Sequence, residues 1–182
     1  MSHINNSHPY SGPGQPLPLI VTEEAQVSDI PEIKSLITGS VKSYFANYMT
    51  EDQVNIQAAG ITEDQHIESY LRDGVLIIAR KKDDIVGCGG LKVTGHLAWF
   101  GLGYVSQEKE GIGSALMEAR FDWLLERADR WWLVSERHIV NKRAADHLTR
   151  HGFQCNNILR PSGRLAGQDL DFWVRSLVRK ED

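Results

Sequence analysis

Three short apolar runs, separated by brief polar turns, occupy the middle of the chain and limit its fold more than any other feature. They cover residues 75–80, 85–93 and 97–105, and residues 81–84 form the first turn. Runs of this length joined by such short turns predict antiparallel strands, because parallel strands need a crossover connection. The middle of the chain is therefore predicted to be an antiparallel meander.

A helix and another strand follow the meander. The helix starts at Gly111-Ile112-Gly113 and carries one apolar stripe, and residues 131–135 then read as a buried strand. A strand, a helix and a strand in this order favour a crossover in a mixed sheet.

Helical patterns also precede the meander. A strand over residues 19–25 is followed by three helical pieces, and Thr50 and Thr62 each start a sequence that resembles a capping box. Further along, Asn141 is predicted to cap a helix that Gly152 ends. We expect an α/β (α+β) fold: a mixed, mostly antiparallel sheet of six or seven strands with helices on both faces.

The composition fits a single globular domain. The chain has 182 residues, 41% of them hydrophobic, and its net charge of −4 argues against a surface that coats nucleic acid. Cys88 and Cys155 are the two cysteines, which excludes a disulfide scaffold and a Cys-rich zinc site. We expect no metal.

The first 17 residues differ in composition from the rest of the chain. Residues 1–17 are rich in Pro, Gly and polar residues, which predicts a mobile tail, and they lack the apolar core of a signal peptide. Residues 18–182 are expected to form one domain. Since no apolar run approaches the ~18 residues of a membrane span, we expect a cytoplasmic protein.

The loop before the central helix is a candidate phosphate site. Gly111 and Gly113 let a ligand approach the backbone, and Ser114 adds a hydroxyl. The helix start supplies unpaired N–H groups and the positive end of the helix dipole. The P-loop lysine and the third glycine of a dinucleotide fingerprint are both missing. An ordinary tight turn has the same glycines, so the loop alone leaves the function open.

Two glycines in the strand before this loop strengthen the case for a ligand. Gly101 and Gly103 alternate, which predicts that both lie on one face of the strand. A strand without side chains on one face needs a packing partner there. That partner is either a core aromatic ring or an extended ligand.

The loop-helix segment EKEGIGSAL and the later segment NKRAADHLTRHGF together resemble the GNAT superfamily of N-acetyltransferases. Asn141, Ala144, Gly152 and Phe153 stand at the family's spacing and follow Gly111 and Gly113 at a typical distance. The resemblance covers most of residues 19–178 and is strongest over residues 97–153.

This resemblance implies a fold with two splayed central parallel strands and acetyl-CoA as cosubstrate. The pantetheine would pair with the backbone of the first splayed strand, and the pyrophosphate would sit on the N–H groups of the loop. The implied cofactor-binding residues are Gly103, Tyr104, Val105, Glu108, Lys109, Glu110, Gly111, Ile112, Gly113, Ser114, Asn141 and Ala144.

The chain departs from the family at two positions. Glu108 stands where Gln or Arg is usual, and a carboxylate beside a pyrophosphate is unfavourable unless it turns away or meets a cation such as Lys109. Leu148 stands where the family often has the tyrosine that reprotonates the CoA thiolate. His147 is adjacent but rotated by ~100° on the helix, so it does not simply replace that tyrosine.

The candidates for proton transfer are His138, Glu136 and Tyr104. Glu136 and His138 end the second splayed strand and share a face, and Tyr104 would act through a water. His138 is the nearest to a candidate base, because imidazoles as a class titrate near neutrality. By the same resemblance, the backbone N–H near Val105 would stabilise the oxyanion. A surface or structural role is the alternative for each of the three side chains.

The leading hypothesis is direct transfer of the acetyl group to a primary amine of a small molecule, an amino acid or a peptide. Leu148 and Glu108 motivate an alternative, a CoA-binding module with weak or no catalysis. A third hypothesis is an unrelated phosphate-binding α/β protein. The predicted partners include neither nucleic acid nor a membrane, and a homodimer is suggested by the resemblance alone.

Overall fold

The computed structural model describes residues 20–106, 110–161 and 169–179, so the predicted tail lies outside the described residues. The strands are β1 (Ile20–Glu24), β2 (Gly74–Lys81), β3 (Asp84–Thr94), β4 (Leu97–Val105), β5 (Arg130–His138), β6 (Gln154–Pro161) and β7 (Asp169–Val178). The α-helices are α1 (Ile30–Phe45), α2 (Glu51–Ile61), α3 (Asp64–Asp73), α4 (Ile112–Leu125) and α5 (Lys142–Arg150), and a short 3-10 turn covers Val27–Asp29.

The strands form one seven-stranded sheet in the order β1-β2-β3-β4-β5-β7-β6. β2, β3 and β4 are the predicted antiparallel meander, and β4 pairs with β5 in parallel. The other neighbouring pairs in this sheet are antiparallel. The predicted fold class, a mixed and mostly antiparallel sheet with helices, is confirmed.

Each face of the sheet has its own apolar core. On one face, α1, α2 and α3 pack residues such as Ile33 and Ile37 against Leu76 and Ile78 of β2. On the other face, α4 and α5 pack against the opposite side chains of β2, together with Leu133 of β5. The continuous apolar run of β2 follows from this arrangement, because both of its faces are covered.

One of the two predicted capping boxes is present. The Gln53 backbone N–H donates to the Thr50 hydroxyl at 3.3 Å, and the Gln53 side chain accepts from the Thr50 N–H at 3.0 Å. The box predicted at Thr62 is wrong. The Thr62 hydroxyl donates back to the Ala58 carbonyl at 2.8 Å, so it closes α2 instead of opening α3.

The central parallel pair separates after four residue pairs. β4 and β5 are in register from Leu97 with Trp132 to Phe100 with Ser135, and no further. β4 continues to Val105 on β3, and β5 continues to His138 on β7. A wedge therefore opens between the ends of two strands that remain anchored on their outer sides.

A bulge in β4 coincides with the start of the wedge. Leu102 and Gly103 together oppose the single residue Gly89 of β3, and Leu102 adopts a positive φ of 48°. The extra residue reverses the alternation of side chains, so Phe100 packs with the α4 face and Leu102 with the α1 face.

The bulge also separates the two strand glycines, and the expectation that they share a face is wrong. A Cβ on Gly101 would lie 2.2 Å from the Tyr70 hydroxyl oxygen, so an aromatic ring covers this glycine. A Cβ on Gly103 would meet no atom within 4 Å. Tyr104 turns toward the α1 face, which leaves Gly103 on the opposite side.

We predict that Gly101→Ala lowers the free energy of unfolding by about 1–3 kcal/mol, because its Cβ would overlap Tyr70. Equilibrium urea unfolding measures this change. Gly39→Ala is the control, since a Cβ there meets nothing within 4 Å in the interior of α1, and it should stabilise by about 0.5–1 kcal/mol. In a Tyr70→Phe background the cost of Gly101→Ala should shrink. An equal cost in both backgrounds would contradict the overlap.

Candidate functional site

The wedge exposes the backbone of β4 beside an open space. Gly103 is exposed, and nothing lies within 4 Å of the position that its Cβ would occupy. Past Phe100, the edge of β4 that faced β5 no longer pairs with that strand. An extended ligand that carries amide groups can therefore pair with this edge, as a neighbouring strand would.

The start of α4 forms the second part of the site. Gly111 adopts φ 80°, in the left-handed region that favours glycine, and its carbonyl accepts the Ala115 N–H at 3.0 Å. The backbone N–H groups of Ile112, Gly113 and Ser114 have no partner within the helix. A helix of 14 residues that begins in this way suits a phosphate.

The charge at this loop is partly balanced from the sheet. Glu110 forms an ion pair with Lys81 of β2 at 3.2 Å, and both side chains are about three-quarters buried. The Glu110 carboxylate is therefore paired with a cation. Glu108 and Lys109 lie outside the described residues. The prediction that the Glu108 carboxylate is unfavourable beside a pyrophosphate concerns these two residues.

The start of α5 lies where β5 leaves the sheet. The Asn141 side-chain oxygen accepts the Ala144 N–H at 3.0 Å, so the predicted N-cap is confirmed. The Arg137 guanidinium donates to the Asn141 carbonyl at 3.3 Å and to Asp171 at 2.6 Å, which fixes this corner. The Asn141 amide N–H₂ is not used by the cap.

His138, the candidate base, is buried. Its side chain is 7% exposed and lies edge-on to Phe45, with ring centroids 5.6 Å apart. The Gln57 amide donates to His138 Nε2 at 3.2 Å. The Gln57 Oε1 atom is buried and has no hydrogen-bond partner among the described residues.

The other two proton-transfer candidates lie on the same side of the sheet as His138. Glu136 forms a bidentate pair with Arg160 of β6, at 2.5 and 3.1 Å. Tyr104 packs against the α1-face core after the bulge. All three side chains therefore lie on the α1 face of the sheet.

Leu148 is 5% exposed and belongs to the core cluster on the α4 face. Its neighbour His147 is half-buried beside the α4 start, since a Cβ on Gly113 would lie 3.3 Å from the His147 ring. Burial, aided by the charges of His151, Arg120 and Arg150, lowers the pKa of His147 to about 4.

A cavity of about 400 Å³ lies at the open end of the wedge. The Ser40 hydroxyl of α1 donates to the Val105 carbonyl at 3.1 Å, which ties the helix to the end of β4. Tyr44 and Arg143 complete the wall toward α5. The sequence analysis did not identify Ser40 and Tyr44 as site residues, although their spacing of four residues places them on one helix face.

The described part of the chain contains no candidate metal site and no candidate membrane-spanning helix. No group of three or more His, Cys, Asp or Glu side chains there could hold a metal ion. None of the helices in the described ranges combines the length and the apolar character that a membrane span needs.

Comparison with family models gives a match over residues 40–153 to the acetyltransferase (GNAT) family. This segment contains both sequence motifs, the splayed strands, α4 and α5. Comparison with curated proteins gives no match.

Solved acetyltransferases share the whole architecture at low sequence identity. The PaiA N-acetyltransferase from Thermoplasma acidophilum, in complex with coenzyme A, has a TM-score of 0.73 and 13% identity over 88% of this chain and 99% of its own. The ribosomal-protein-S18-alanine N-acetyltransferase of Escherichia coli has a TM-score of 0.69 and 13% identity, over 90% and 97%. YncA of Salmonella typhimurium, solved with acetyl-CoA, has a TM-score of 0.62 and 12% identity, over 90% and 97%.

Because the pKa of the half-buried His147 is lowered, we predict that the protein loses stability in weak acid. The unfolded chain takes up a proton at this residue near pH 6.5, whereas the folded chain takes it up near pH 4. The contribution of neutral His147 to the free energy of unfolding is therefore fully present above pH 6.5, and it is lost as the pH falls toward 4. After allowance for partial exposure, we expect a loss of about 1–2 kcal/mol.

Urea unfolding at several pH values between about 7 and 4, for the wild type and His147→Gln, measures this loss. The variant should show a shallower decline than the wild type. Parallel declines for the two proteins would contradict the assignment to His147.

Proposed function

Because the chain belongs to the GNAT acetyltransferase family, we propose that it transfers the acetyl group of acetyl-CoA directly to the nitrogen of a primary amine. The observation that carries the proposal is the wedge between β4 and β5, where an open strand edge lies beside a helix that starts at the unobstructed Gly111. An extended arm with amide groups, attached to a pyrophosphate, fits these two features together.

The residues present fit acetyl-CoA. A Cβ would meet no atom within 4 Å at Gly103, beside the β4 edge, or at Gly111, where α4 begins. The edge over residues 103–105 would pair with the pantetheine arm, and the N–H groups over residues 110–114 would hold the pyrophosphate. Asn141 has an unused amide N–H₂, and Ala144 is small enough to leave room. The predicted roles of Glu108 and Lys109 remain predictions.

Acetyl-CoA supplies an activated acetyl group as a thioester. The chain has to orient the amine, accept one proton from it and stabilise the negative charge on the carbonyl oxygen. The backbone N–H near Val105 is the proposed donor to that oxygen, since the bulge re-aims the end of β4. His138, Glu136 and Tyr104 remain the predicted proton carriers, and their place on the α1 face supports acceptor entry from that side.

The acceptor is proposed to be a small molecule, an amino acid or a peptide. The α1 face near β5 exposes Trp99 and Trp132, at 39% and 58%, and these rings lie on the same side as Glu136. They offer apolar surface for more than an isolated amine. The E. coli relative is named for a ribosomal-protein alanine, which supports peptide amines as one class to test. A cytoplasmic location and a homodimer remain predictions.

We predict acetyl transfer from labelled acetyl-CoA to at least one member of a panel of amines, amino acids and peptides. Mass spectrometry of the acceptor identifies the new amide, and the same panel without protein is the control. CoA binding without transfer to any acceptor would favour the alternative of a CoA-binding module. If CoA protects against thermal unfolding no better than ATP does, the family's cofactor role does not apply to this chain.

Gly103→Val tests the cofactor site without disturbing the free protein. A Cβ at this position would meet no atom within 4 Å, and Gly103 is exposed, so the free energy of unfolding should stay within about 0.5 kcal/mol of the wild type. The same side chain would crowd the wedge, so the affinity for CoA measured by calorimetry should fall more than about tenfold. Ser176→Val, at an exposed position of β7 that pairs with Trp132, is the matched control. Unchanged CoA affinity in Gly103→Val would place the cofactor elsewhere.

A further inference from the structure

The wedge lacks a proton donor at the usual position, and this inference rests on the proposed function. Transfer of the acetyl group leaves a thiolate, which must be protonated before CoA departs. Leu148 occupies the position where the family resemblance implies a tyrosine, and its side chain lies in the α4-face core. A donor has to come from another element.

α1 crosses the open end of the wedge. Ser40 is tied to the Val105 carbonyl, and Val105 is the last residue of the diverging part of β4. The cavity there is lined by Val105 and Ser106 on one side and by Arg143 of α5 on the other. The wall between them belongs to α1.

Tyr44 is the hydroxyl-bearing aromatic residue in that wall. It lies one turn after Ser40, is half-buried and lines the cavity. Its ring centroid is 5.3 Å from the Arg143 guanidinium carbon and 5.6 Å from the Tyr48 ring centroid. These contacts hold the side chain between the end of β4 and the start of α5.

We propose that Tyr44 donates the proton that the sulphur of CoA takes up when the thioester is cleaved. Tyr104, the other tyrosine near the wedge, packs against the α1-face core and does not line the cavity. Tyr44 of α1 therefore supplies the hydroxyl donor that Leu148 of α5 lacks.

The surroundings of Tyr44 keep it protonated at neutral pH. Burial is the largest influence and raises the pKa of Tyr44, and Tyr48 raises it as well, whereas the Arg143 backbone amide and charge lower it. The charged side chains that face the cavity are Glu32 and Arg143. A neutral hydroxyl beside a forming thiolate is a donor, because the proton moves toward the developing charge.

The atoms balance in this step. The amine nitrogen bonds to the acetyl carbon, the carbon–sulphur bond breaks and its electron pair stays on sulphur. Tyr44 gives its hydroxyl proton to sulphur. The nitrogen loses one proton to the proton carrier of the proposed function, which passes it to solvent, and solvent returns one proton to Tyr44.

The test is the pKa of the CoA thiol bound to the protein, followed by the ultraviolet absorbance of the thiolate during a pH titration. A hydrogen bond from Tyr44 stabilises the thiolate, so Tyr44→Phe should raise the bound thiol pKa by about one unit, a tenfold change in acid dissociation. Ser43→Ala removes a different hydroxyl from the cavity wall and leaves the contact between Tyr44 and Tyr48 in place, so it should keep the thiol pKa near the wild-type value.

The outcomes separate this proposal from the proposed function. Equal thiol pKa values in the wild type and Tyr44→Phe would overturn the role of Tyr44 and leave acetyl transfer standing. Failure of Tyr44→Phe to bind CoA while it melts like the wild type would show a binding role instead, and would also overturn the proposal. Failure of the wild type to bind CoA would overturn both. With an acceptor in hand, Tyr44→Phe should lower kcat more than about tenfold with little change in KM for acetyl-CoA.

Discussion

The site depends on one constraint, which is that β4 and β5 pair for four residues and then diverge. Each strand stays anchored on its outer side, β4 on β3 and β5 on β7, so the wedge is held open by hydrogen bonds outside it. An unpaired strand edge inside a sheet is costly unless something pairs with it. The chain keeps this edge accessible by placing Gly103 beside it and by starting α4 directly beyond it.

The bulge at Leu102 determines which side chains of β4 point to each face of the sheet. It turns Leu102 and Tyr104 toward α1 and leaves Gly103 on the side of α4. The face toward α4 then suits the cofactor, and the face toward α1, which also carries Glu136 and His138, suits the acceptor. A single inserted residue would thus separate the two proposed binding functions along one strand.

The order of the elements and the fold class could be predicted from the sequence, because periodicity, turns and the Asn141 cap are local signals. The positions of the two motifs, read as a family resemblance, also located the wedge. The opposite orientation of Gly101 and Gly103 was missed, since a bulge breaks the alternation of side chains and leaves no local signal of its own. The burial of His138 and the approach of Tyr44 to the wedge were missed as well, because both depend on how α1 packs across the sheet.

The most direct test of this account is amide hydrogen exchange of the wild-type protein with and without CoA. The account predicts slower exchange on CoA addition at the backbone N–H groups of residues 103–105 and 112–114. Exchange in β1 and β2, on the far side of the sheet, should stay the same. Protection of other segments with no change at the β4 end and the α4 start would contradict the assignment of the wedge as the cofactor site.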